Sequence, residues 1–221
     1  MTRQTMLDQL ADRILAQRVG HPLRVAIDGI DASGKTTLAD ELAETVRARG
    51  RPVIRASVDG FHRPRADRYR RGADSPEGYY YDAFDYAALR QVLLEPLGPQ
   101  GSRWYRRAVF DLASDQPLVS EYELAPEDAI VLVDGVFLLR PELNALWDYR
   151  IFVETPFAVA LQRALAHDHP LFGTPDAVEA RYRCRYIPGQ RLYFETARLR
   201  EAAQALVNNA DPSQPEVMFR D

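Results

Sequence analysis

The residues with the clearest chemical potential are eight consecutive positions, Gly29-Ile30-Asp31-Ala32-Ser33-Gly34-Lys35-Thr36. They match the phosphate-binding (P-loop) pattern G-x-x-x-x-G-K-T over its whole length. The glycines allow the backbone to turn so that successive N–H groups point at phosphate oxygens, and a following helix adds the favourable field of its N-terminus. We expect Lys35 to reach the β- and γ-phosphates and the Thr36 hydroxyl to bind Mg²⁺. The pattern therefore predicts that ATP with Mg²⁺ binds through Gly29, Ile30, Asp31, Ala32, Ser33, Gly34, Lys35, Thr36 and Thr37.

Two aspartates complete the predicted phosphate site. Asp134 directly follows an apolar run that ends at Val133, and Asp59 follows a strand-like segment that ends at Val58. A carboxylate at the carboxyl end of a strand beside the P-loop is where Mg²⁺ is held, usually through water, so Asp134 is the predicted metal partner of Thr36. Phosphoryl transfer to an alcohol needs a carboxylate that accepts the hydroxyl proton, and we predict this role for Asp59. The alternative for either aspartate is a helix cap or a turn.

Alternating helical and strand patterns position these groups. A buried strand is predicted at 23–27, directly before the P-loop, and a helix is predicted at 35–49, starting directly after Gly34. Further strands are predicted at 52–58, 129–133 and 151–153, and further helices at 85–97, 141–147, 156–167 and 176–199, the last with a break at Pro188. This alternation is typical of a three-layer α/β fold with a mostly parallel sheet. We expect a single domain over 1–221, with an N-terminal helix in 1–20, a lid region in 163–188 and a loose tail in 210–221.

Composition limits the classes of function. The 221 residues carry a net charge of -4, which argues against a nucleic-acid-binding surface. The single cysteine, Cys184, cannot form an internal disulfide, and no apolar run is long enough to cross a bilayer. We therefore expect a cytoplasmic protein that acts on a small-molecule alcohol, without nucleic-acid or membrane partners, and we leave homo-oligomer formation open.

Four stretches of the chain resemble one family of enzymes. They are the P-loop, Ser57-Val58-Asp59-Gly60-Phe61-His62, Asp82-Ala83-Phe84-Asp85 and Val133-Asp134-Gly135. Through them the chain is similar to the uridine kinase and phosphoribulokinase family of P-loop kinases, which includes bacterial pantothenate kinase and nicotinamide riboside kinase. The similarity extends from about Arg24 to about Asp211. It implies a P-loop NTPase fold with a five-stranded parallel sheet and a short helical lid.

The second and third stretches bear on catalysis and on the acceptor. The second is similar to the D-x-F-[HY] motif, whose aspartate is the family's catalytic base and corresponds to Asp59. The third resembles P-D-A-F-D, whose first aspartate binds sugar hydroxyls and corresponds to Asp82, although Tyr81 replaces the proline. A carboxylate can also hold a diol by a two-point hydrogen bond on chemical grounds alone. A helix N-cap is the alternative for Asp82.

Arginines are the second requirement, because the charge on the transferring phosphoryl group must be balanced. The resemblance implies that they lie on a lid aligned with 163–174, and Arg163 matches, so we predict it as a catalytic cation. The other lid arginines are replaced by Ala166, His167, Leu171, Phe172 and Gly173. Replacement cations are expected from Arg181, Arg183 and Arg185, in a segment that resembles the family's Y-x-x-x-[VY]-x-P element. Closure of 168–175 is expected to exclude water.

The segment 62–81 has no clear periodicity, and its arginines and tyrosines each allow two interpretations. Its arginines (Arg63, Arg65, Arg68, Arg70 and Arg71) form either a solvated face or a loop suited to an anionic acceptor. Its tyrosines stack on a base or pack the loop. Uridine kinases recognise the pyrimidine with an aromatic residue and a histidine; Phe110 matches the aromatic residue, and Asp115 stands where the histidine would be. The predicted substrate-binding residues are His62, Arg63, Tyr81, Asp82, Phe110, Arg181 and Tyr186.

These observations predict an ATP-dependent kinase that phosphorylates a primary hydroxyl of a nucleoside or ribose-like acceptor. The alternatives are a kinase for nicotinamide riboside, a sugar or pantothenate, and a regulatory module whose P-loop binds ATP with little transfer.

Overall fold

The computed structural model describes residues 1–167 and 173–220. The strands, in chain order, are β1 (Leu23–Gly29), β2 (Val53–Ser57), β3 (Trp104–Tyr105), β4 (Phe110–Asp111), β5 (Gln116–Pro117), β6 (Glu123–Leu124), β7 (Ile130–Gly135), β8 (Tyr149–Glu154), β9 (Ala205–Asn208) and β10 (Glu216–Phe219). The helices are α1 (Arg3–Leu15), α2 (Lys35–Ala48), α3 (Arg65–Arg68), α4 (Pro76–Asp82), α5 (Tyr86–Leu89), α6 (Pro141–Asn144), α7 (Phe157–His167), α8 (Pro175–Arg181), α9 (Ile187–Thr196) and α10 (Leu199–Ala202). A 3₁₀ turn spans Val58–Phe61, and π-helical turns span Arg90–Leu94 and Tyr182–Tyr186.

The central sheet has the strand order β10-β9-β8-β1-β7-β2. All of its pairings are parallel except that of β10 with β9. β1 and β7 are buried at every position, as expected for parallel strands covered on both faces. Their register places Ile27 beside Asp134 and Asp28 beside Gly135. The start of the P-loop and Asp134 therefore lie side by side at the carboxyl edge of the sheet.

Helices cover both faces of this sheet. On one face α1 and α2 contribute Leu10 and Leu38 to a buried apolar cluster. On the other face α4, α5 and α9 contribute Tyr79, Leu89 and Tyr193 to a second cluster. The predicted three-layer α/β arrangement with a mostly parallel sheet is confirmed. None of the helices in the described part of the chain is long and apolar enough to span a bilayer.

The C-terminal part differs from the prediction in two respects. The five parallel strands are joined by a sixth, β10, which comes from the segment predicted to be a loose tail and lies antiparallel to β9, with Val217 opposite Val207. A half-exposed edge strand of four residues carries too little hydrophobic pattern to be recognised from sequence. Pro188 does not break a helix, because it lies in the first turn of α9, where its missing N–H is not needed. Of the predicted lid, residues 168–172 lie outside the described residues.

Candidate active site

The P-loop turns sharply between β1 and α2. Gly34 precedes α2 with φ +87° and Ala32 has φ +56°, both in the left-handed region. A Cβ on Gly34 would lie 2.6 Å from Nδ2 of Asn209, which itself donates to the Ser33 carbonyl at 2.6 Å. Glycine is required at position 34 both by the backbone angle and by this close approach.

The inner surface of the P-loop has the groups that phosphate needs. The Ser33 hydroxyl oxygen is fully buried, and within the described structure it has no hydrogen-bond partner. A buried polar atom is costly unless it is paired, so this hydroxyl fits a bound phosphate oxygen. The Lys35 ammonium donates to the Ile30 carbonyl at 3.2 Å, so it lies over the P-loop, where it is expected to contact phosphate. These residues fit the predicted nucleotide phosphates.

The predicted metal-binding pair is already in contact. Thr36 Oγ1 donates to Asp134 Oδ2 at 2.7 Å, and the Asp134 residue is 2% exposed. Its other oxygen accepts from Arg55 Nη2 at 2.9 Å, and Arg55 also pairs with Asp40 at 2.9 Å. Among the described residues, no group of three or more His, Cys, Asp or Glu side chains forms a metal cluster. One hydroxyl and one carboxylate fit Mg²⁺, which takes its other oxygens from phosphates and water.

A cleft opens beside these groups at the carboxyl edge of the sheet. This P-loop cleft, of ≈ 200 Å³, is lined by Leu112 and Ser57 and by the side chains that matter for chemistry: Asp31, Lys35, Thr36, Asp59, His62, Asp134, Tyr79, Phe84, Tyr182 and Tyr186. It unites the predicted phosphate-binding lysine, the metal pair, the predicted base and two predicted substrate-binding residues, His62 and Tyr186. A larger cavity of ≈ 690 Å³, lined by Pro22 and Leu23, lies at the amino end of β1, on the opposite side from the P-loop.

Asp59 enters the cleft from the 3₁₀ turn that follows β2. The turn is held because the Asp59 N–H donates to Ser57 Oγ at 3.3 Å. The Asp59 side chain is 68% exposed, and its Oδ1 lies 3.8 Å from His62 Nδ1. His62 Nδ1 also lies 3.0 Å from the Asp59 carbonyl oxygen, which can only accept, so Nδ1 carries the proton. Burial lowers the pKa of His62, while the Asp59 charge opposes this shift. At neutral pH the imidazole is therefore neutral.

Aromatic side chains form a wall of the cleft that contacts the P-loop, since Ala32 packs against the cluster that contains Tyr182. The rings of Tyr79 and Tyr186 lie 4.7 Å apart, and those of Tyr182 and Tyr186 lie 5.3 Å apart. Phe84 packs against His62 with ring centroids at 4.4 Å. The sequence predicted Tyr186 as a substrate-binding residue and left Tyr79 open between stacking on a base and packing the loop. It missed Tyr182, because a tyrosine in a helical segment is as consistent with core packing as with a site.

Five of the seven predicted acceptor residues are absent from the described lining of the P-loop cleft: Arg63, Tyr81, Asp82, Phe110 and Arg181. Asp82 ends α4, and its carboxylate pairs with Arg70 at 3.1 Å and Arg71 at 2.7 Å. Asp82 is not an N-cap either, since Asp85 caps α5 by accepting from the Ala88 N–H. Tyr81 is 48% exposed, and Phe110 is buried at 5% exposure. Their roles in acceptor binding stay predictions, as does that of Arg63, which also lies outside this lining.

The arginines expected to replace the lid cations have other partners in this structure, and their role toward phosphate stays a prediction. Arg181 donates to the Ala73 carbonyl at 2.5 Å and pairs with Asp74 at 3.3 Å. Arg183 pairs with Glu179 at 2.7 Å. The Arg185 residue is 2% exposed, and its guanidinium donates to four backbone carbonyls: Arg68 and, in the loop before α4, Gly72, Ala73 and Ser75. Arg181 and Arg185 thus hold the loop between α3 and α4, and none of the three arginines is in the described lining of the P-loop cleft.

Arg163 lies on the other side of the P-loop. Its guanidinium donates to the carbonyls of Ser33 at 3.3 Å and of Asn209 at 2.6 Å. It lines a separate cavity of ≈ 560 Å³ that also includes Gly34 and Thr37. Arg163 therefore ties the P-loop to the segment after β9. Its predicted catalytic role is not tested by this arrangement.

No protein-family model matches the chain. Over 153 residues it is 26% identical to a uridine kinase from Leuconostoc citreum, a match that covers 66% of this chain and 69% of that protein. It is 27% identical to uridine-cytidine kinase A from Dictyostelium discoideum over 67% of this chain, but this match spans only 28% of that longer protein. Among solved structures, a possible uridine kinase from Bacillus stearothermophilus superposes with a TM-score of 0.72 at 25% identity, covering 92% of this chain and 97% of that one.

The chain is therefore similar in sequence to uridine kinases, and it shares the fold of P-loop kinases such as the possible uridine kinase.

Proposed function

We propose that this P-loop kinase transfers the γ-phosphoryl group of ATP to a primary hydroxyl of a nucleoside or another ribose-like compound. The observation that carries the proposal is the composition of the P-loop cleft, where a P-loop lysine, a hydroxyl–carboxylate pair suited to Mg²⁺ and the Asp59 carboxylate meet within ≈ 200 Å³. A site that only binds nucleotide would not require the Asp59 carboxylate. A carboxylate beside the transferred phosphoryl group is required when an alcohol is the acceptor.

On the nucleotide side of the site, the P-loop and the metal pair would neutralise the negative charge of the ATP phosphates. Bound ATP with Mg²⁺ would supply the phosphoryl group and a divalent charge. Lys35 would exchange its bond to the Ile30 carbonyl for phosphate oxygens, and the P-loop N–H groups and the Ser33 hydroxyl would donate to others. Thr36 and Asp134 would hold the metal, and Arg55 keeps the Asp134 carboxylate oriented.

The acceptor side positions a hydroxyl and removes its proton. Asp59 would accept that proton, since its carboxylate is exposed to the cleft and is not committed to an arginine in the described structure. His62, neutral and fixed through Nδ1 to the Asp59 carbonyl, presents its other ring nitrogen as an acceptor for a second substrate group. The Tyr79, Tyr182 and Tyr186 wall offers a flat apolar surface on which a base or a sugar face can pack.

The test is ADP release in a coupled assay with Mg·ATP and a panel of nucleosides, nicotinamide riboside, sugars and pantothenate. We expect stimulation by an uncharged riboside, and stimulation by a sugar or pantothenate instead would identify one of the alternative acceptors. Binding of ATP without stimulation by any member of the panel would favour the regulatory module and contradict the proposal.

A variant separates catalysis from nucleotide binding. Asp59→Asn should lower kcat by about 10²- to 10⁴-fold, the usual contribution of a general base, while ATP affinity stays unchanged. Asp67→Asn, which alters an exposed aspartate of α3, is the matched control and should keep wild-type kcat. Wild-type turnover in Asp59→Asn would remove Asp59 as the base.

A further inference from the structure

A second carboxylate faces the acceptor side of the P-loop cleft. Asp31 is the third residue of the P-loop and lines the same cleft as Asp59. Its Oδ2 accepts one hydrogen bond from the Tyr79 hydroxyl at 2.7 Å and another from Gln190 Nε2 at 2.5 Å. These donors belong to the helices α4 and α9. The carboxylate is thus held in one orientation by two elements that do not belong to the P-loop.

The two donors are themselves fixed. The Gln190 residue is 2% exposed and that of Tyr79 is 6% exposed. Burial, together with the negative charge of Asp31, raises the pKa of Tyr79 well above its ordinary value, so the phenol keeps its proton and remains a donor. The arrangement defines the position of a negative charge beside the phosphates. A P-loop that only binds nucleotide gains nothing from a carboxylate there, because like charges repel.

The described lining of the cleft is poor in positive charge. It contains three carboxylates, on Asp31, Asp59 and Asp134, and Lys35 is its one permanent cation. The function proposed above assigns Lys35 to the nucleotide phosphates and Asp134 to the metal, so Asp31 and Asp59 are the carboxylates of this lining that remain for the acceptor. A site built in this way attracts hydroxyl donors and repels anions.

The nearby arginines do not offset this charge. Arg68 donates to Asp115 at 2.6 Å, and Arg70 and Arg71 pair with Asp82. None of the arginines in the described structure lines the P-loop cleft. The arginine-rich segment after Asp59 therefore does not make this cleft suitable for a phosphorylated or carboxylated acceptor.

We propose that Asp31 is a specificity-determining residue of the acceptor site, which accepts a hydrogen bond from an acceptor hydroxyl and excludes acceptors that carry a negative charge. This inference rests on the kinase activity proposed above. It assigns the acceptor to uncharged polyhydroxy compounds. It also gives a P-loop side chain a role toward the acceptor in addition to the role of its backbone toward ATP.

The test compares acceptors that differ by one negative charge. Suitable pairs are uridine and orotidine, which adds a carboxylate to the base, and pantothenol and pantothenate. Wild type should prefer the uncharged member of each pair. Asp31→Asn retains the shape and one accepting oxygen but removes the charge, and it should raise the anionic-to-uncharged ratio of kcat/KM at least about tenfold. Asp31→Ala also loses the hydrogen bond, and it should raise the acceptor KM by about 10- to 100-fold while ATP affinity is retained.

Two further variants separate specificity from folding. Tyr79→Phe removes one of the two donors to Asp31 without touching the charge, and it should raise the acceptor KM more than it lowers kcat. Asp12→Asn, on the exposed face of α1, removes a carboxylate far from the cleft and should leave the ratio unchanged. A purely structural role for Asp31 would lower thermal stability in its variants but would not move the preference between charged and uncharged acceptors.

Each outcome bears on the proposal in a defined way. A wild-type preference for the anionic member of a pair overturns it. So does an unchanged ratio in an Asp31→Asn protein that binds Mg·ATP with wild-type affinity. If Asp31→Asn does not fold, an unchanged acceptor KM in Tyr79→Phe overturns it in the same way. If no acceptor stimulates wild-type ADP release, the kinase activity itself is refuted, and the role of Asp31 falls with it.

Discussion

The buried carboxylate at the base of the P-loop allows a quantitative test of the structure. Asp28 is fully buried, and burial raises its pKa from 3.8 to about 6. Its Oδ2 accepts from the Tyr193 hydroxyl and from the Leu139 N–H, the latter at 2.9 Å. The Leu139 N–H lies 2.8 Å from the Tyr193 oxygen as well. These contacts connect the start of the P-loop, the loop after β7 and helix α9.

Tyr193→Phe removes the two hydrogen bonds of the Tyr193 hydroxyl, the one that it donates to Asp28 and the one that it accepts from the Leu139 N–H, and little else. The Leu139 N–H keeps Asp28 as its acceptor, and the ring retains its packing against Phe137, with centroids 5.2 Å apart. The lost bond to an ionised carboxylate is worth about 1.5–3 kcal/mol, and the same bond to a neutral carboxyl about 0.5–1.5 kcal/mol. For a chain of this size the larger loss lowers the Tm by roughly 3–12 °C.

The sign of the pH dependence follows from the raised pKa of Asp28. Because the folded pKa lies above the unfolded one, this carboxyl stabilises the fold least when it is ionised, and its contribution is lost as pH rises from about 4 through about 6. Tyr193→Phe removes an interaction that lowers this pKa, so the pKa rises further. The stability deficit of the variant should therefore be small at pH 5 and larger at pH 7.5.

Urea unfolding followed by circular dichroism at pH 5 and pH 7.5, without nucleotide, measures both deficits. Tyr80→Phe is the matched control, because it removes a neutral hydrogen bond of 2.8 Å between the Tyr80 and Thr196 hydroxyls and should show a deficit independent of pH. An equal deficit at both pH values in Tyr193→Phe, or a larger one at pH 5, would refute the assignment of Asp28 as a buried, hydrogen-bonded carboxylate.

Three other variants test the site. Gly34→Ala should lower ATP affinity at least about tenfold in equilibrium binding, because the new Cβ would sit on a left-handed backbone and clash with Asn209. Gly50→Ala is the control: its backbone is also left-handed, with φ +80°, but nothing lies within 4 Å, so its ATP affinity should match wild type. Arg185→Met should lower the free energy of unfolding by about 3 kcal/mol, because it removes a buried guanidinium that binds backbone carbonyls. Arg183→Met removes an exposed ion pair and should change this free energy by less than about 0.5 kcal/mol. Similar losses in the two variants would contradict the structural role of Arg185. Arg55→Met removes the cation beside Asp134, the proposed metal partner, and leaves a buried charge that Mg²⁺ would neutralise. Mg·ATP should therefore raise the Tm of this variant more than that of wild type, and equal increments would argue against a metal there.

Much of the site was predictable because its parts are local in sequence. The P-loop is one continuous segment between a strand and a helix. It depends on the left-handed backbone of Gly34 and on close packing at Gly29, where a Cβ would lie 2.7 Å from the Ser33 hydroxyl oxygen. Asp59 and Asp134 each follow a recognisable apolar strand, and parallel strands end at the same edge of a sheet. Strand ends and residue types were therefore sufficient to predict the side chains that meet there.

Side-chain partners were not predictable in the same way. The segment around Arg181 and Arg185 has the charge of a phosphate-binding site, yet its guanidiniums bind backbone carbonyls of the loop at 72–75. Asp82 has the motif position of a substrate-binding residue, yet it pairs with two arginines. A charged side chain has many partners within reach in a folded chain, and sequence spacing does not indicate which one is nearest.

By itself, therefore, the sequence determined the phosphate-binding loop, the parallel α/β layers and the carboxylates at the strand ends, because each depends on a contiguous pattern. Only the tertiary structure decided that Tyr79 and Gln190 hold the Asp31 carboxylate, that Arg181 and Arg185 bind backbone carbonyls and that the tail adds a strand. These features depend on contacts between residues far apart in the chain, such as Asp31 with Gln190 and β10 with β9. The packing of the layers creates those contacts, and no local pattern encodes them.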